Sequence, residues 1–394
     1  MRCNAIRPGW IMTGMADAAF ATAKDVERAK RDALARHAAG RFGEPADIAA
    51  AALWLVSRRS RLRHRPVHHR RRRSDRGLAH PTGTFLMADP NHTAVLGAGV
   101  IGASWTALFL AAGKSVAVFD VADDVEKTVR AYVANAWPTL TDLGMTRRGD
   151  PEAVTFCSRP VDAVDRAAFV QESVPERLAL KHALYAEIEE ALDTDAVIAS
   201  SASGLTLSEM QAGWRDPSRL VLGHPFNPPH LIPLVEVMGN DRTAAGVVEA
   251  AERFYADVGK VTIRVNKEVP GHVANRLQAA IWREALHLIK EGVASVEDVD
   301  KAVSAGPGLR WAGMGPTTLF HLAAGEGGIE AFCARYGESF HRWWADLGDP
   351  RLDDAMRSQL VDGIAEATGG RSIAELAAER DAVLLGILKA LKAR

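Results

Sequence analysis

A glycine-rich turn between an apolar strand and an apolar helix constrains the fold of this chain more than any other feature. The stretch HTAVLGAGVIGASWTALFLAAGKSVAVFD starts at His92, turns through Gly97, Gly99 and Gly102, and then enters an Ala/Leu-rich helix. A second apolar run follows and ends in Asp120. A strand, a GxGxxG turn, a helix and a second strand with an acidic end form the dinucleotide-binding unit of a Rossmann fold. The pattern therefore predicts a parallel sheet with helices on both faces.

Each glycine of the turn has a physical reason to be there. Gly97 allows the tight turn, Gly99 lets the backbone approach a pyrophosphate, and Gly102 lets the helix pack closely on the strand. The backbone at Val100 and Ile101 opens the helix, and a helix N-terminus favours the charge of a phosphate. We therefore predict that these five residues bind the dinucleotide.

Asp120 discriminates between the two nicotinamide dinucleotides. It lies eighteen residues after Gly102, where a carboxylate accepts hydrogen bonds from the ribose hydroxyls and repels a 2′-phosphate. The next residues, Val121 and Ala122, offer no arginine to bind such a phosphate. We therefore expect NAD rather than NADP as the cofactor. The alternative is a glycine-rich turn followed by an exposed aspartate, with no ligand at all.

The rest of the pattern defines two domains after residue 86. Strand-like apolar runs lie at 153–157, 168–173, 196–200, 219–223, 234–238 and 261–265, and helical stretches lie near 123–136, 178–192 and 243–257. This alternation predicts an α/β domain with a doubly wound, mostly parallel sheet, the NAD-binding Rossmann domain at 87–268.

An all-α domain is expected to follow at 269–394, for substrate binding and dimerisation. Its first helix should bury one face, because apolar residues recur there with helical spacing. That face consists of Leu277, Ala280, Ile281, Ala285, Leu288 and Ile289.

An Arg-rich tract at residues 58–76 makes the net charge of −1 misleading. The tract, RRSRLRHRPVHHRRRRSDR, contains ten Arg and one Asp, which leaves 38 basic against 48 acidic residues elsewhere. Such a tract is typical of a nucleic-acid-binding arm or a disordered tail. A third interpretation is a frameshift: GC-rich codons for Leu62 to Arg73, shifted by one base, read FVTGRSTTVDG.

The segments before this tract, CNAIRPGWIMTGM and AGRFGEPADIAAAALWL, resemble the C-terminal part of the short-chain dehydrogenase/reductase family. That family usually ends with a strand close to FVTGxxxxVDGG, which the shifted reading reproduces. Residues 1–86 lack the nucleotide-binding glycines and the Tyr-xxx-Lys pair of that family. We therefore interpret them as a frameshifted remnant without function, with Met87 as the functional start. A genuine accessory extension is the alternative.

The remaining composition favours a cytoplasmic protein. No run of eighteen apolar residues is present, so no membrane span is expected. The N-terminus, MRCNAIRPGW, lacks the order of a signal peptide. Cys3, Cys157 and Cys333 are scattered without a CxxC pair, which favours a reducing compartment and argues against a metal site.

The segment GHPFNPPHLIPLVEV, residues 223–237, holds His224 and Glu236 at the two ends of a proline-stiffened connector. Removal of a hydride from a secondary alcohol requires that the hydroxyl proton leaves as well, and a neutral histidine is the usual acceptor. A carboxylate on the other ring nitrogen fixes the tautomer and stabilises the imidazolium. We therefore predict His224 as the general base and Glu236 as its partner. An ordinary core histidine is the alternative.

Three motifs in order, SSASGL, GHPFNPPHLIPLVEV and KEVPGHVANRLQAAIWREAL, resemble the L-3-hydroxyacyl-CoA dehydrogenase superfamily over residues 92–394. The resemblance implies an NAD-dependent dehydrogenase of 3-hydroxy acids that forms a homodimer. It adds Ser203 and Asn275 to the catalytic set, where both bind the substrate oxygen. Without the resemblance, Ser203 is interpreted as a turn residue and Asn275 as a helix N-cap.

The same resemblance implies two further cofactor contacts. Glu176 and Lys181, in the segment PERLALK, match the residues that meet the nicotinamide end of the cofactor in this superfamily.

The segment GPGLRWAGMGPTTLFHLAAGEGG, residues 306–328, discriminates among the substrates of the superfamily. It is similar to the turn of the branch that oxidises L-carnitine, with Gly313 and Ala324 as departures. L-Carnitine carries a carboxylate at one end and a trimethylammonium group at the other. The resemblance implies that Arg310, on a loop facing the cleft, clamps the carboxylate through two parallel hydrogen bonds.

A trimethylammonium group donates no strong hydrogen bonds and is best held by aromatic faces, at roughly 0.5–2 kcal/mol per contact. Trp311 and Phe320 are the predicted contacts. Ordinary packing is the alternative for both, and it is the favoured interpretation for Trp343 and Trp344.

Other functions stay open at this stage. L-Gulonate is the second candidate substrate and a 3-hydroxyacyl-CoA the third. A non-enzymatic, crystallin-like relative would need no catalytic set, and this chain has one. A nucleic-acid-binding protein that uses the Arg-rich tract would show salt-sensitive retention on DNA, and we regard a nucleic-acid partner as the weakest hypothesis.

Overall fold

A computed structural model describes residues 90–392 together with Asp25, Val26, Arg28 and Lys30. All residues from 90 to 392 belong to one compact unit. The predictions for residues 1–86, including the Arg-rich tract, lie outside the described residues except at those four positions. No helix in the described part of the chain is long and apolar enough to cross a membrane.

One sheet of eight strands organises the described residues. The strands are β1 (His92–Leu96), β2 (Ser115–Phe119), β3 (Val154–Phe156), β4 (Phe169–Glu172), β5 (Val197–Ser200), β6 (Leu220–Pro225), β7 (Leu234–Met238) and β8 (Val261–Arg264). Their spatial order is β3-β2-β1-β4-β5-β6-β7-β8, and only β6 and β7 are antiparallel. The order reverses between β1 and β4, which is where open α/β sheets bind ligands, beyond the carboxyl ends of the strands.

Six helices connect these strands and cover both faces of the sheet. They are α1 (Val100–Ala111), α2 (Val125–Asp142), α3 (Pro160–Val164), α4 (Leu178–Ile188), α5 (Leu207–Gln211) and α6 (Val247–Asp257). Successive strand residues point to opposite faces, so Val95 packs against α1, α2 and α6, whereas Ala94 and Leu96 pack against α3, α4 and α5. Residues 92–264, the sheet region, therefore contain two buried layers.

Every described element after β8 is helical. The helices are α7 (Ala274–Lys290), α8 (Val296–Ala305), α9 (Pro307–Gly313), α10 (Pro316–Ala323), α11 (Gly328–Asp346), α12 (Asp354–Thr368) and α13 (Ile373–Lys392). In this helical region, residues 274–392, the buried core is one small cluster of α7, α8 and α12 side chains. Large apolar side chains are exposed instead, among them Trp343 (59%) and Trp344 (61%).

The predicted fold class, a doubly wound and mostly parallel sheet followed by helices, is confirmed. Two local expectations were wrong. Residues 307–313, expected as a loop, form α9, because Pro307 occupies the first turn, where proline favours a helix. The apolar face of α7 is buried only in its second half, at Leu286 and Ile289, because only that half packs on α8 and α12; Leu277 is 60% exposed.

Candidate active site

Two glycines shape a cradle at the carboxyl end of β1. Gly97 has a φ of +87°, and a Cβ on it would lie 2.6 Å from the backbone of Ser173 and Val174, which follow β4. A Cβ on Gly102 would lie 1.8 Å from the carbonyl oxygen of Gly97. Only glycine fits at either position, because one needs a left-handed backbone and both need close approach. The turn, α1 and the end of β4 thus meet where the predicted NAD site requires.

The start of α1 is open to a ligand. A Cβ on Gly99 would meet nothing within 4 Å, Val100 is 62% exposed, and Ile101 beside it is half-buried. No side chain caps the helix, and its first turn contains no acidic residue. The free backbone N–H groups of such an end bind phosphate.

Asp120, just after β2, faces the same turn. Its carboxylate accepts hydrogen bonds from the backbone N–H of Ala98 (2.6 Å) and of Ala122 (3.0 Å). The side chain remains partly exposed, so lone pairs are left to accept the ribose hydroxyls of a dinucleotide. The predicted residues therefore fit NAD.

Glu176 and Ser203 are brought together beyond β4 and β5. One Glu176 oxygen accepts the backbone N–H groups of Ser203 and Gly204, both at 2.5 Å, and the other lies 3.3 Å from Ser203 Oγ. Partial burial raises the pKa of Glu176, but these donors together with the N–H of Leu205 outweigh it, so the pKa lies below its ordinary value. An ionised Glu176 thus fixes the turn that carries Ser203.

Lys181 lies inside the sheet region. Its Nζ donates to Glu172 Oε1 at 2.6 Å and to the carbonyl oxygen of Val174 at 3.3 Å. Glu172 also accepts the hydroxyls of Tyr185 and Ser200, each at 2.7 Å. A buried ion pair with this many hydrogen bonds holds the end of β4 in place. The direct nicotinamide contact of Lys181 stays a prediction. The role of Glu172 was not predicted from the sequence, where the only indication is that a carboxylate ends the buried run FVQE.

His224 and Glu236 lie directly opposite each other on β6 and β7. His224 Nδ1 is 2.7 Å from Glu236 Oε2, and both residues are buried. An ionised carboxylate only accepts hydrogen bonds, so Nδ1 carries the proton and Nε2 keeps a lone pair. Glu236 Oε1 accepts the backbone N–H groups of Val273 (2.9 Å) and Ala274 (3.0 Å), where α7 begins.

The environment keeps Glu236 ionised. Burial raises its pKa, but the hydrogen bond from His224 and the two backbone donors bring the pKa below its ordinary value. The positive end of α7 acts in the same direction. The arrangement can therefore accept a proton at His224 Nε2 and stabilise the resulting imidazolium.

Asn275 is the second residue of α7, and the helix N-cap is Val273, so the N-cap interpretation was wrong. Ala274, its neighbour, donates to Glu236, which places Asn275 at the same end of the sheet as His224. Its contact with a substrate stays a prediction.

His272 is a site residue that sequence reasoning left without a role; its only signal was its position inside the motif PGHVANR. Its ring centre is 5.2 Å from that of His224, and its Nε2 is 3.3 Å from the carbonyl oxygen of Ala202, next to Ser203. Burial lowers the pKa of His272, and so does the charge that His224 carries once it is protonated. A neutral His272 therefore lies beside His224, the predicted base.

The connector between β6 and β7 is anchored to α1. Ser104 Oγ accepts the backbone N–H of His230 at 2.9 Å and donates to its Nδ1 at 2.9 Å. Burial lowers the pKa of His230 to about 4, so the ring is a neutral acceptor. The helix that opens the predicted NAD site and the connector between His224 and Glu236 are thus joined.

A buried lysine anchors the same connector. Lys260 Nζ donates to the carbonyl oxygens of Pro229 and Ile232, both at 2.5 Å, and lies 5.1 Å from the centre of the Trp105 ring. Burial lowers the pKa of Lys260 to about 7. No sequence pattern indicates this role, because the lysine follows the connector by almost thirty residues.

The predicted substrate residues make no hydrogen bond or ring contact with the catalytic pair. Arg310 is exposed on α9 beside the half-buried Trp311. Phe320 stacks on Phe332 with 4.7 Å between ring centres and meets Phe340 at 5.5 Å. Its ring is thus packed between α10 and α11. The substrate roles of Arg310, Trp311 and Phe320 stay predictions.

Family models match the chain in three places. The NAD binding domain of 3-hydroxyacyl-CoA dehydrogenase matches residues 92–269, and its C-terminal domain matches residues 271–356. A model described as Enoyl-(Acyl carrier protein) reductase matches residues 1–64. The chain belongs to the 3-hydroxyacyl-CoA dehydrogenase family. The predictions of an NAD-dependent dehydrogenase and of NAD as its cofactor are confirmed.

Curated relatives named L-carnitine dehydrogenase confirm the resemblance to the carnitine branch. The protein from Streptomyces coelicolor is 50% identical, over 75% of this chain and 93% of its own length. The protein from Pseudomonas aeruginosa is 46% identical, over 76% and 93% respectively.

Solved structures agree on the fold. A 5-formyl-3-hydroxy-2-methylpyridine 4-carboxylic acid 5-dehydrogenase, described as an NAD+-dependent dismutase, is 30% identical with a TM-score of 0.65, over 77% of this chain and 98% of that one. A 3-hydroxyacyl-CoA dehydrogenase from Archaeoglobus fulgidus is 24% identical with a TM-score of 0.52, over 76% and 99%.

Proposed function

We propose that this protein oxidises the 3-hydroxyl of L-carnitine to 3-dehydrocarnitine with NAD. The observation that carries the proposal is the buried His224–Glu236 pair, 2.7 Å apart, at the same sheet edge as the glycine cradle. The identity of the substrate is inferred from the relatives named L-carnitine dehydrogenase, which are up to 50% identical to this chain.

The residues of the chain handle the proton. His224 Nε2 accepts the hydroxyl proton of the substrate, while Glu236 holds the ring through Nδ1 and stabilises the imidazolium. NAD, when bound, supplies the acceptor for the hydride from C3. Ser203 and Asn275 bind the substrate oxygen as it becomes a carbonyl, with Ser203 held in position by Glu176.

The two ends of L-carnitine need different partners. The sequence-based prediction gives the carboxylate to Arg310 and the trimethylammonium group to Trp311 and Phe320. The relative of 30% identity also acts on a carboxylic acid according to its name. An acid substrate therefore agrees with the names of both kinds of relative.

A substrate panel tests this function. The purified protein is given NAD with L-carnitine, L-gulonate or an L-3-hydroxyacyl-CoA, and NADH absorbance is followed. We expect turnover with L-carnitine well above the other two. Turnover with L-gulonate or the acyl-CoA and none with L-carnitine would refute the carnitine assignment, and no turnover with any of them would favour the crystallin-like alternative.

We also propose a cytoplasmic homodimer formed through the helical region. Its exposed apolar side chains, including Trp343, Trp344 and Leu277, have the character of a subunit interface. Cys157 and Cys333 are free thiols, as a reducing compartment requires. Sedimentation should show a dimer that Trp344→Glu weakens, whereas a monomeric native protein would exclude the proposal.

Residues 1–86 are proposed to add nothing to this activity. The Streptomyces coelicolor relative matches 93% of its length with 75% of this chain, and a different family model matches residues 1–64. A chain that starts at Met87 should be soluble and turn over like the full chain. An insoluble or inactive product would restore these residues as a genuine domain.

A further inference from the structure

A cationic pocket lies next to the predicted catalytic residues, along the first turns of α7. It has a volume of about 450 Å³ and is lined by the Pro270–Gly271 turn and by Asn275, Arg276, Ala279, Ala280 and Arg283. Two guanidinium groups line it and no carboxylate does. No residue that lines the pocket therefore neutralises the positive charge of the two guanidinium groups.

Helix geometry brings the lining side chains together. Asn275, Ala279 and Arg283 follow one another at intervals of four, so they share one face of α7. Asn275 and Arg283 are about 12 Å apart along the axis, at 1.5 Å per residue. Long helical side chains lean toward the N-terminus, so Arg283 extends over Ala279 toward Asn275. The alanines leave room for a ligand beneath the guanidinium.

Both arginine side chains have N–H groups that donate to no described residue. The Arg283 side chain makes no hydrogen bond or ion pair with any described residue, and the Arg276 side chain makes one long hydrogen bond, of 3.4 Å, to the carbonyl oxygen of Pro270. Arg264, by contrast, is paired with Glu249 and Glu252. Planar guanidinium groups that face a shared pocket suit a carboxylate, which accepts two parallel N–H bonds.

The pocket begins beside the backbone that holds the catalytic pair. Val273 and Ala274 donate to Glu236, and the next residue, Asn275, lines the pocket. In a 3-hydroxy acid a single CH2 separates the carboxylate from the carbon that bears the hydroxyl. The carboxylate must therefore bind close to the base. Arg276, in the first turn of α7, fits this requirement, and the Arg283 side chain leans back along the helix toward it.

We infer that Arg276 and Arg283 form the subsite for the substrate carboxylate. The inference rests on the proposed function for the identity of the acid, and it moves the carboxylate partner from α9 to α7. Arg310 then has no direct part in binding the acid.

The test compares Arg283→Met and Arg276→Met with Arg351→Met, an equivalent truncation of an exposed arginine between α11 and α12. Binding is measured by calorimetry with saturating NADH, which prevents turnover of a hydroxy acid. The ligands are L-carnitine, its uncharged carboxamide and 3-hydroxybutyrate. Sedimentation of each variant checks the oligomeric state.

We expect Arg283→Met to raise the Kd of both acids about tenfold or more, equal to ~1.4 kcal/mol. The Kd of the carboxamide should change less than about twofold, and Arg283→Lys should recover part of the loss. Arg351→Met should bind all three ligands like the native protein.

Three results would overturn the inference: native-like Kd values in both α7 variants, equal losses for the acids and the carboxamide, or no binding of either acid to the native protein. A failure of the proposed function looks different. In that case L-carnitine is not oxidised, yet 3-hydroxybutyrate still binds and Arg283→Met still weakens it.

Discussion

The sheet region and the helical region of this chain differ in how firmly hydrogen bonds hold their predicted functional side chains. In the sheet region His224 is fixed by Glu236, and Glu236 by the start of α7, through buried hydrogen bonds. In the helical region the Arg310 side chain has no polar partner among the described residues, and Trp343 and Trp344 are exposed. The predicted proton acceptor is therefore preorganised, whereas the residues predicted to bind the substrate have few contacts that fix them.

Removal of the base should produce the largest effect of any single change. His224→Ala should lower kcat by about 10²–10⁴, because the hydroxyl proton loses its acceptor. NAD affinity should stay within about twofold of native, because the glycine cradle and Asp120 do not depend on His224. Stopped-flow NADH formation gives kcat and protein fluorescence gives NAD affinity.

His341→Ala is the matched control, because this histidine is exposed on α11. It should leave both measurements unchanged. Native turnover of His224→Ala under conditions where chemistry limits the rate would contradict the mechanism.

The difference between the regions also separates what the sequence could predict from what it could not. The Gly97–Asp120 unit was readable because its strand, turn and helix are set by local patterns within thirty residues. The chemistry of His224 and Glu236 was readable for the same reason, since one short connector joins them. Their placement directly opposite each other depends on the antiparallel pairing of β6 and β7, which no local pattern specifies.

Contacts between residues that are far apart in the sequence could not be predicted. Lys260 and Ser104 both hold the connector, but they come from distant segments, and Glu172 became visible only through its buried partners. In the helical region the apolar spacing of α7 predicted a buried face, yet burial depends on which elements pack against it. Helical periodicity predicts a helix and says nothing about its neighbours.

Two buried lysines test whether the connector matters for catalysis or only for stability. Lys260 lies near the Trp105 ring and holds the connector, while Lys114 lies 5.6 Å from the centre of the Phe254 ring and is paired with Asp257 at 2.6 Å. Replacement of Lys260 by Met leaves two carbonyl oxygens unmatched, which should cost about 1–3 kcal/mol in the free energy of unfolding. Replacement of Lys114 by Met should cost less, because Asp257 is partly exposed and keeps Arg148 as a partner.

Only Lys260→Met should also lower kcat, by about tenfold or ~1.4 kcal/mol, because β6 and β7 then lose the fixed spacing of His224 and Glu236. Urea unfolding and NADH formation are measured for both variants. Equal kcat values in the two variants would reduce Lys260 to a purely structural residue.

The smallest expected effect tests whether α9 contacts the trimethylammonium end of the substrate. Trp311→Leu keeps an apolar side chain but removes the aromatic face, so it should raise the KM of L-carnitine about two- to fivefold, or ~0.5–1 kcal/mol. The comparison substrate is 3-hydroxy-5,5-dimethylhexanoate, in which an uncharged tert-butyl group replaces the trimethylammonium group at the same shape. Its KM should not rise, because an uncharged group gains nothing from the ring quadrupole. Trp343→Leu, on α11, is the control and should change neither KM. Equal losses for the charged and uncharged substrates would show that Trp311 acts through packing, and the trimethylammonium group would then need a partner elsewhere.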